Sequence, residues 1–141
     1  MKTAEEIYQS VLDGTRTPLL EGNFQAFRRF IALPHSISTR MGTVTMHTEK
    51  HLESTFQTFH TSLKDQRVTD YIRTTIWAKF VNDTLIQGAH SCLMISGSTE
   101  VAPAYGNEMS LEFDGETWRV ASSVSSVANI QWPTIAPVSP R

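Results

Sequence analysis

The sequence predicts an α+β domain with helices packed on one face of an antiparallel sheet, and two observations carry that prediction. Apolar residues recur at helical spacing up to about Arg67 and at every second position beyond it. In the second block, Phe113-Asp114-Gly115-Glu116-Thr117-Trp118-Arg119-Val120 sets Asp-Gly between two alternating runs. That is the strongest short-range hairpin signal, because a type I′ turn needs positive φ at both central residues. Helices followed by consecutive strands define the α+β class.

Thr3-Ala4-Glu5-Glu6 reads as a capping box, after which Ile7, Tyr8, Val11 and Leu12 share one helical face. Gly14 is placed to end this helix and Thr17-Pro18 to restart it, so one broken helix and two separate helices both fit. Asn23 caps a second helix with Phe24, Phe27, Phe30 and Ile31 on its buried side and Pro34 at its end. Residues 35–39 and 43–46 read as short strands around Arg40-Met41-Gly42, with Gly42 supplying a left-handed turn. Thr48 caps a third helix whose Leu52, Phe56, Phe59 and Leu63 form one apolar stripe. Residues 68–81 and 84–95 then read as long strands joined at Asn82-Asp83, and 105–113 and 116–127 as the last hairpin. These elements make one domain over residues 1–132, followed by a proline-rich tail over 133–141.

Hydrophobic residues make up 40% of the 141 and charged residues 18%, ordinary values for one globular domain with a sizeable core. A net charge of −2 supplies no drive toward nucleic acid or an anionic membrane surface. Cys92 is the single cysteine, which excludes an intrachain disulfide. Glu5 and Glu6 stand where a signal peptide would begin its apolar core, and no apolar run approaches the ~18 residues of a membrane span. The expectation is a soluble, cytoplasmic protein.

The order of three helices, a short hairpin after the second helix, and four long strands resembles the nuclear-transport-factor-2-like superfamily. SnoaL-like polyketide cyclases and ketosteroid isomerases belong to it. Leu20-Glu21-Gly22-Asn23-Phe24-Gln25-Ala26-Phe27 is similar to the family's x-G-D-x-x-A helix-turn pattern, with Asn23 in place of the common Asp. The stretch from Phe113 to Val120 is similar to its closing hairpin of an aromatic, D-G, then W-R and a β-branched residue. The likeness covers residues 4 to about 130. It implies a curved sheet wrapped around the helices, a conical pocket inside, and commonly a homodimer through the sheet's outer face. The superfamily includes enzymes, binding modules and interaction domains, so fold alone does not assign the chemistry.

Turn positions sort the strand faces. A two-residue loop at Asp114-Gly115 sets Phe113 opposite Glu116, Leu111 opposite Trp118 and Met109 opposite Val120, with Asn107, Ser122 and Val124 on the same inward face. In the other long hairpin, Ile72, Thr74, Ile76, Ala78 and Phe80, opposite Leu93, Ser91, Ala89, Gln87 and Leu85, form the cleaner apolar face and are expected inward. The mixed face, with Tyr71, Trp77, Ile86 and Met94, is expected to be covered by a second copy in the homodimer. The reverse register would turn Tyr71, Arg73, His90 and Glu108 inward, as an acid–base cluster like those of the family's dehydratases and cyclases.

In the isomerases of the resembling family the general-base Asp lies on the strand just after the second helix. Here that region reads Pro34-His35-Ser36-Ile37, so His35 is the candidate catalytic residue, as hydrogen-bond partner or weak general base. A core histidine satisfied by backbone is the competing reading. Candidate ligand-binding residues are Tyr8, Phe27, Phe56, Ser91, Asn107, Met109 and Trp118, an apolar set with neutral polar groups and no inward acid. This composition suits a small, mostly apolar ligand, with isomerisation, cyclisation or dehydration as the chemistry implied by the resemblance. The alternative is a non-catalytic dimeric module that uses the outer sheet face. His47 and His51 do not form H-E-x-x-H and lack a third ligand nearby, so no metal is expected. No G-x-G-x-x-G or phosphate loop exists, so no cofactor is expected.

Overall fold

A computed structural model describes residues 2–125; the proline-rich tail and the expected strand end at Val127 lie outside the described residues. Thr3 caps α1 (Ala4–Glu21) as the sequence predicts: its Oγ1 accepts from the Glu6 N–H at 3.1 Å, and its own N–H donates to Glu6 Oε1 at 2.8 Å. The helix is neither broken nor doubled. Gly14 lies inside it because the Phe30 ring presses against that point, where an added Cβ would meet Phe30 Cζ at 2.4 Å. The helix ends instead at Gly22, which takes the left-handed conformation at φ 75°.

Asn23 caps α2 (Phe24–Arg28), shorter than the spacing of its aromatic residues predicts. Ile31 and Pro34 belong to β1 (Ile31–Thr39), because the Val120 N–H donates to the Phe30 carbonyl at 2.7 Å and Ile31 aligns with Val120. The chain turns through Gly42 into β2 (Gly42–Met46), and Thr48 caps α3 (Glu49–Asp65). The long strands are β3 (Asp70–Asn82), β4 (Leu85–Ser96), β6 (Tyr105–Phe113) and β7 (Trp118–Ser125), with a short β5 (Thr99–Glu100) on β4.

Among the described residues these strands form one curved seven-stranded sheet in the order β2-β1-β7-β6-β4-β3. The α+β class holds. The sheet is mixed rather than wholly antiparallel: β1 runs parallel to β7, because the segment from α3 to β6 intervenes between them in sequence. The three helices lie against the concave face. Tyr8, Leu12, Leu19, Phe27, Phe56, Phe59, Leu63 and Ile86 are fully buried there, and Phe56 stacks with Phe27 and Phe24 at ring separations of 4.7 and 5.5 Å.

Two register details reverse sequence expectations. In β3 and β4 the expected pairs Tyr71–Met94, Arg73–Cys92 and Thr75–His90 form, but this mixed face is the buried one. Ile72 and Ile76 stand 40% and 65% exposed. Tyr71, Ile86 and Met94 therefore cannot serve as dimer contacts; they belong to the protomer's own core. The reason lies on α1, whose polar groups receive this face. Tyr8 bonds His90, Gln9 Oε1 accepts from the Thr75 N–H and hydroxyl, and Arg73 donates to α1. A bulge at Ile76 then offsets the pairing to Trp77–Ala89, so Ile76 and Trp77 are both exposed and Ala78 returns to the core.

The second correction concerns the Asp114-Gly115 turn. The loop is four residues, with Phe113 opposite Trp118 and only Gly115 at positive φ (102°). Asp114 Oδ1 accepts from the Glu116 and Thr117 N–H groups at 2.8 and 2.9 Å, and its Oδ2 accepts from Arg119 Nε at 2.8 Å. These donors hold its pKa below the usual carboxylate range. The pairing shifts accordingly. Asn107, Met109, Leu111 and Val120 face inward as expected, but a bulge after Val120 buries Ser123 and Ser125 and turns Val124 outward.

Candidate functional site

Two spaces among the described residues receive candidate side chains. The inner one is a cavity of about 20 Å³ under α1. His35 from β1, Tyr71 and Arg73 from β3, His90 from β4, and Asn107 and Met109 from β6 surround it; Val11 and Thr15 of α1 and Phe27 of α2 close it. It holds a water-sized or slightly larger polar group and falls far short of the ~300–1,000 Å³ typical of drug-sized ligands. The outer space is a groove of about 430 Å³ lined by Lys2, Ile7, Ser10 and Val11 of the α1 segment, Arg29 and Phe30 after α2, and Thr117 and Trp118 at the start of β7. Val11 borders both.

The candidate residues divide between these spaces. His35 lines the cavity and is fully buried. Its Nδ1 lies 3.1 Å from the Val120 carbonyl, which can only accept, so Nδ1 carries the proton and the ring is the neutral Nδ1–H tautomer. Burial lowers its pKa to about 4, partly offset by that bond. Phe27, Asn107 and Met109 line the cavity as well. Tyr8 sits beside it, its hydroxyl 2.7 Å from His90 Nδ1; burial raises the tyrosine pKa well above its usual value. Phe56 stands one layer behind Phe27, in the core. Ser91 is turned away, since its neighbours His90 and Cys92 occupy the inward positions of β4. Trp118 lines the outer groove.

Arg73 and His90, which the apolar-face rule sends outward, therefore line the cavity. Burial and the nearby Arg73 charge lower the His90 pKa to about 3. Glu108 faces the other way and is exposed, so the inward cluster has no carboxylate. Tyr71 and Tyr105 join their hydroxyls at 2.9 Å, and Asn107 Nδ2 reaches Cys92 Sγ at 3.7 Å. The signal for this site lay in the α1 residues: Gln9, Thr15 and Tyr8 alternate polar groups into an otherwise apolar helix face that needs polar partners on the sheet. Among the described residues no group of three or more His, Cys, Asp or Glu side chains is arranged to hold a metal ion, and no helix is long and apolar enough to cross a membrane.

No protein-family model matches the chain, and no curated protein matches it. Solved structures do. A putative calcium/calmodulin-dependent protein kinase type II association domain from Thiobacillus denitrificans is similar with a TM-score of 0.67 at 7% identity, over 93% of this chain and 94% of that one. A domain of unknown function with a cystatin-like fold from Nostoc punctiforme gives 0.65 at 17% identity, over 89% and 78%. A nuclear-transport-factor-2-like protein of unknown function from Shewanella oneidensis gives 0.64 at 10% identity, over 86% and 97%. The fold is thus the nuclear-transport-factor-2-like, cystatin-like α+β fold, the class to which the sequence patterns point.

Proposed function

We propose that this protein binds a small, mostly apolar molecule carrying an anionic group, with the outer groove as the binding site. The observation that carries this reading is the composition and size of the groove. Its volume of about 430 Å³ falls in the range of small-molecule sites, its floor is Ile7, Val11, Phe30 and Trp118, and Lys2 and Arg29 stand at its rim with no acid among the lining residues. The role is binding rather than proton transfer. His35 and His90 have their pKa values lowered to about 4 and about 3, which leaves them weak bases at neutral pH, and no carboxylate lines the cavity behind the groove.

Titration with anilinonaphthalene sulfonate, an aromatic anion of suitable size, tests the reading. Saturable binding near one equivalent, weakened about ten-fold or more by Trp118→Ala, supports it. Equal binding by the wild type and the variant contradicts it.

A second reading rests on the exposed apolar side chains of the sheet's outer face, where Ile72, Ile76 and Val124 are 40%, 65% and 51% exposed. Such a surface suits a homodimer. Light scattering that finds a dimer in the wild type and a monomer in Ile76→Lys supports this reading, and a wild-type monomer at micromolar concentration removes it.

A further inference from the structure

We propose that the cavity under α1 is a binding site for the carboxylate group of a small organic acid, with the Arg73 guanidinium as its counter-ion. The proposal is independent of the groove. It starts from an anchored cation. Arg73 Nη2 donates to the Leu12 carbonyl and to Thr15 Oγ1, each at 2.7 Å, and the guanidinium carbon lies 4.8 Å from the centre of the Tyr71 ring. These contacts hold the guanidinium against the cavity wall without supplying negative charge. Its Nε–H is buried and has no acceptor among the described residues.

The ion pairs among the described residues join Arg16 to Asp70, Arg28 to Glu49 and Arg119 to Asp114, and none includes Arg73. The tyrosine, cysteine and histidine side chains around it are neutral near pH 7, and the exposed carboxylate of Glu108 acts on the cluster only through Tyr8. Burial raises the pKa of Tyr71, Tyr105, Tyr8 and Cys92, keeping them protonated, and lowers those of His90 and His35, keeping them uncharged. A guanidinium keeps its proton in proteins, so the cavity lining carries a positive charge with no ion-pair partner among the described residues. Arg73 is part-buried with its Nε–H turned away from solvent, and a planar anion is the partner that a guanidinium fits best.

Asn107 supplies a second contact. Among the described residues its Oδ1 is buried without a donor, and its Nδ2 makes only the long contact to Cys92 Sγ at 3.7 Å. Turning the amide end for end pairs Oδ1 with the thiol and leaves Nδ2 as the group without a partner among the described residues. The Cys92 thiol, kept protonated by burial, then donates to Oδ1, and Nδ2 takes the place of Oδ1 as a donor to the cavity. A volume of about 20 Å³ is close to that of a single water, so a carboxylate enters only as the lining side chains give way.

Acetate is the test probe, with acetamide as its neutral counterpart of nearly the same shape. Both are titrated at pH 7 and constant ionic strength, read by saturation-transfer NMR and by melting temperature. Acetate is expected to bind about ten-fold or more tightly than acetamide and to raise the melting temperature. Arg73→Met should abolish that preference, whereas Arg40→Met, which removes the same charge from an exposed turn, should preserve it. If Arg73→Met fails to fold, the acetate–acetamide comparison in the wild type decides alone. Indistinguishable acetate and acetamide signals, as expected of a cavity that holds only water, overturn the proposal. So does an acetate preference that survives in Arg73→Met.

Discussion

Lowering the pH should destabilise this protein well before its carboxylates titrate, because two histidines are buried in their neutral forms. The pKa values of His35 and His90 fall from 6.5 to about 4 and about 3, both chiefly through burial. In the unfolded chain each takes up its proton near pH 6.5, whereas in the folded protein it does not until the lower value is reached. Between these limits the unfolded state binds more protons, so stability falls as pH falls. Each histidine contributes a slope of about 1.4 kcal/mol per pH unit, roughly 3 kcal/mol per unit for the pair around pH 5. Between pH 6.5 and 4.5 the loss sums to about 4.5 kcal/mol, a large share of the whole stability of a small domain, ~5–15 kcal/mol. Glu6 and Asp114, whose pKa values are lowered from 4.5 and 3.8, add their effect toward the lower end of that window and below it. Urea unfolding followed by tryptophan fluorescence from pH 7.5 to 5 measures the slope. His35→Gln and His90→Gln should each remove about half of it, whatever their effect on absolute stability. A flat profile between pH 6 and 5, or an undiminished slope in both variants, would refute the reasoning.

Gly88→Ala should cost about 1–3 kcal/mol, since the new methyl would lie 2.6 Å from Tyr8 Cε2 and 2.8 Å from the Trp77 carbonyl oxygen; urea unfolding within 0.5 kcal/mol of wild type, about the scatter of a surface change, would contradict this. Phe56→Ala empties the centre of the Phe24–Phe27–Phe56 stack and should cost about 3–5 kcal/mol by the same assay, with no direct effect on the cavity's polar groups.

Most of the fold was legible because its local signals agree with its tertiary structure. The Thr3 and Thr48 caps and the Leu52–Phe56–Phe59–Leu63 stripe are short-range chemistry that the folded chain keeps. Both hairpins form, the first with its turn slid by one residue to Asp83-Thr84 and the second with a longer loop. The boundary of α2 was not legible, because Ile31 continues the helical spacing of the phenylalanines and is claimed by Val120 only through a pairing across some ninety residues of chain. The parallel β1–β7 contact is equally non-local. Face assignment in β3 and β4 failed for a different reason. The rule that the more apolar face turns inward compares side chains with solvent, but here Tyr71, Arg73 and His90 meet hydroxyls, carbonyls and amides of α1 and the neighbouring strands. Bulges at Ile76 and after Val120 then reversed the alternation partway along two strands, which a strict period of two cannot anticipate. Of the candidate site, His35, Phe27, Asn107 and Met109 reached the cavity and Trp118 the groove. Ser91 missed because its strand is turned over, and Phe56 because the core is one aromatic layer deeper than the helix stripe indicates.

Amide chemical-shift mapping with anilinonaphthalene sulfonate tests the central claim most directly, because it locates the ligand without any substitution. The account predicts saturable shifts centred on Ile7, Val11, Arg29, Phe30 and Trp118. Shifts centred on Ile72, Ile76 and Val124 of the outer sheet face, or scattered without saturation, would contradict it.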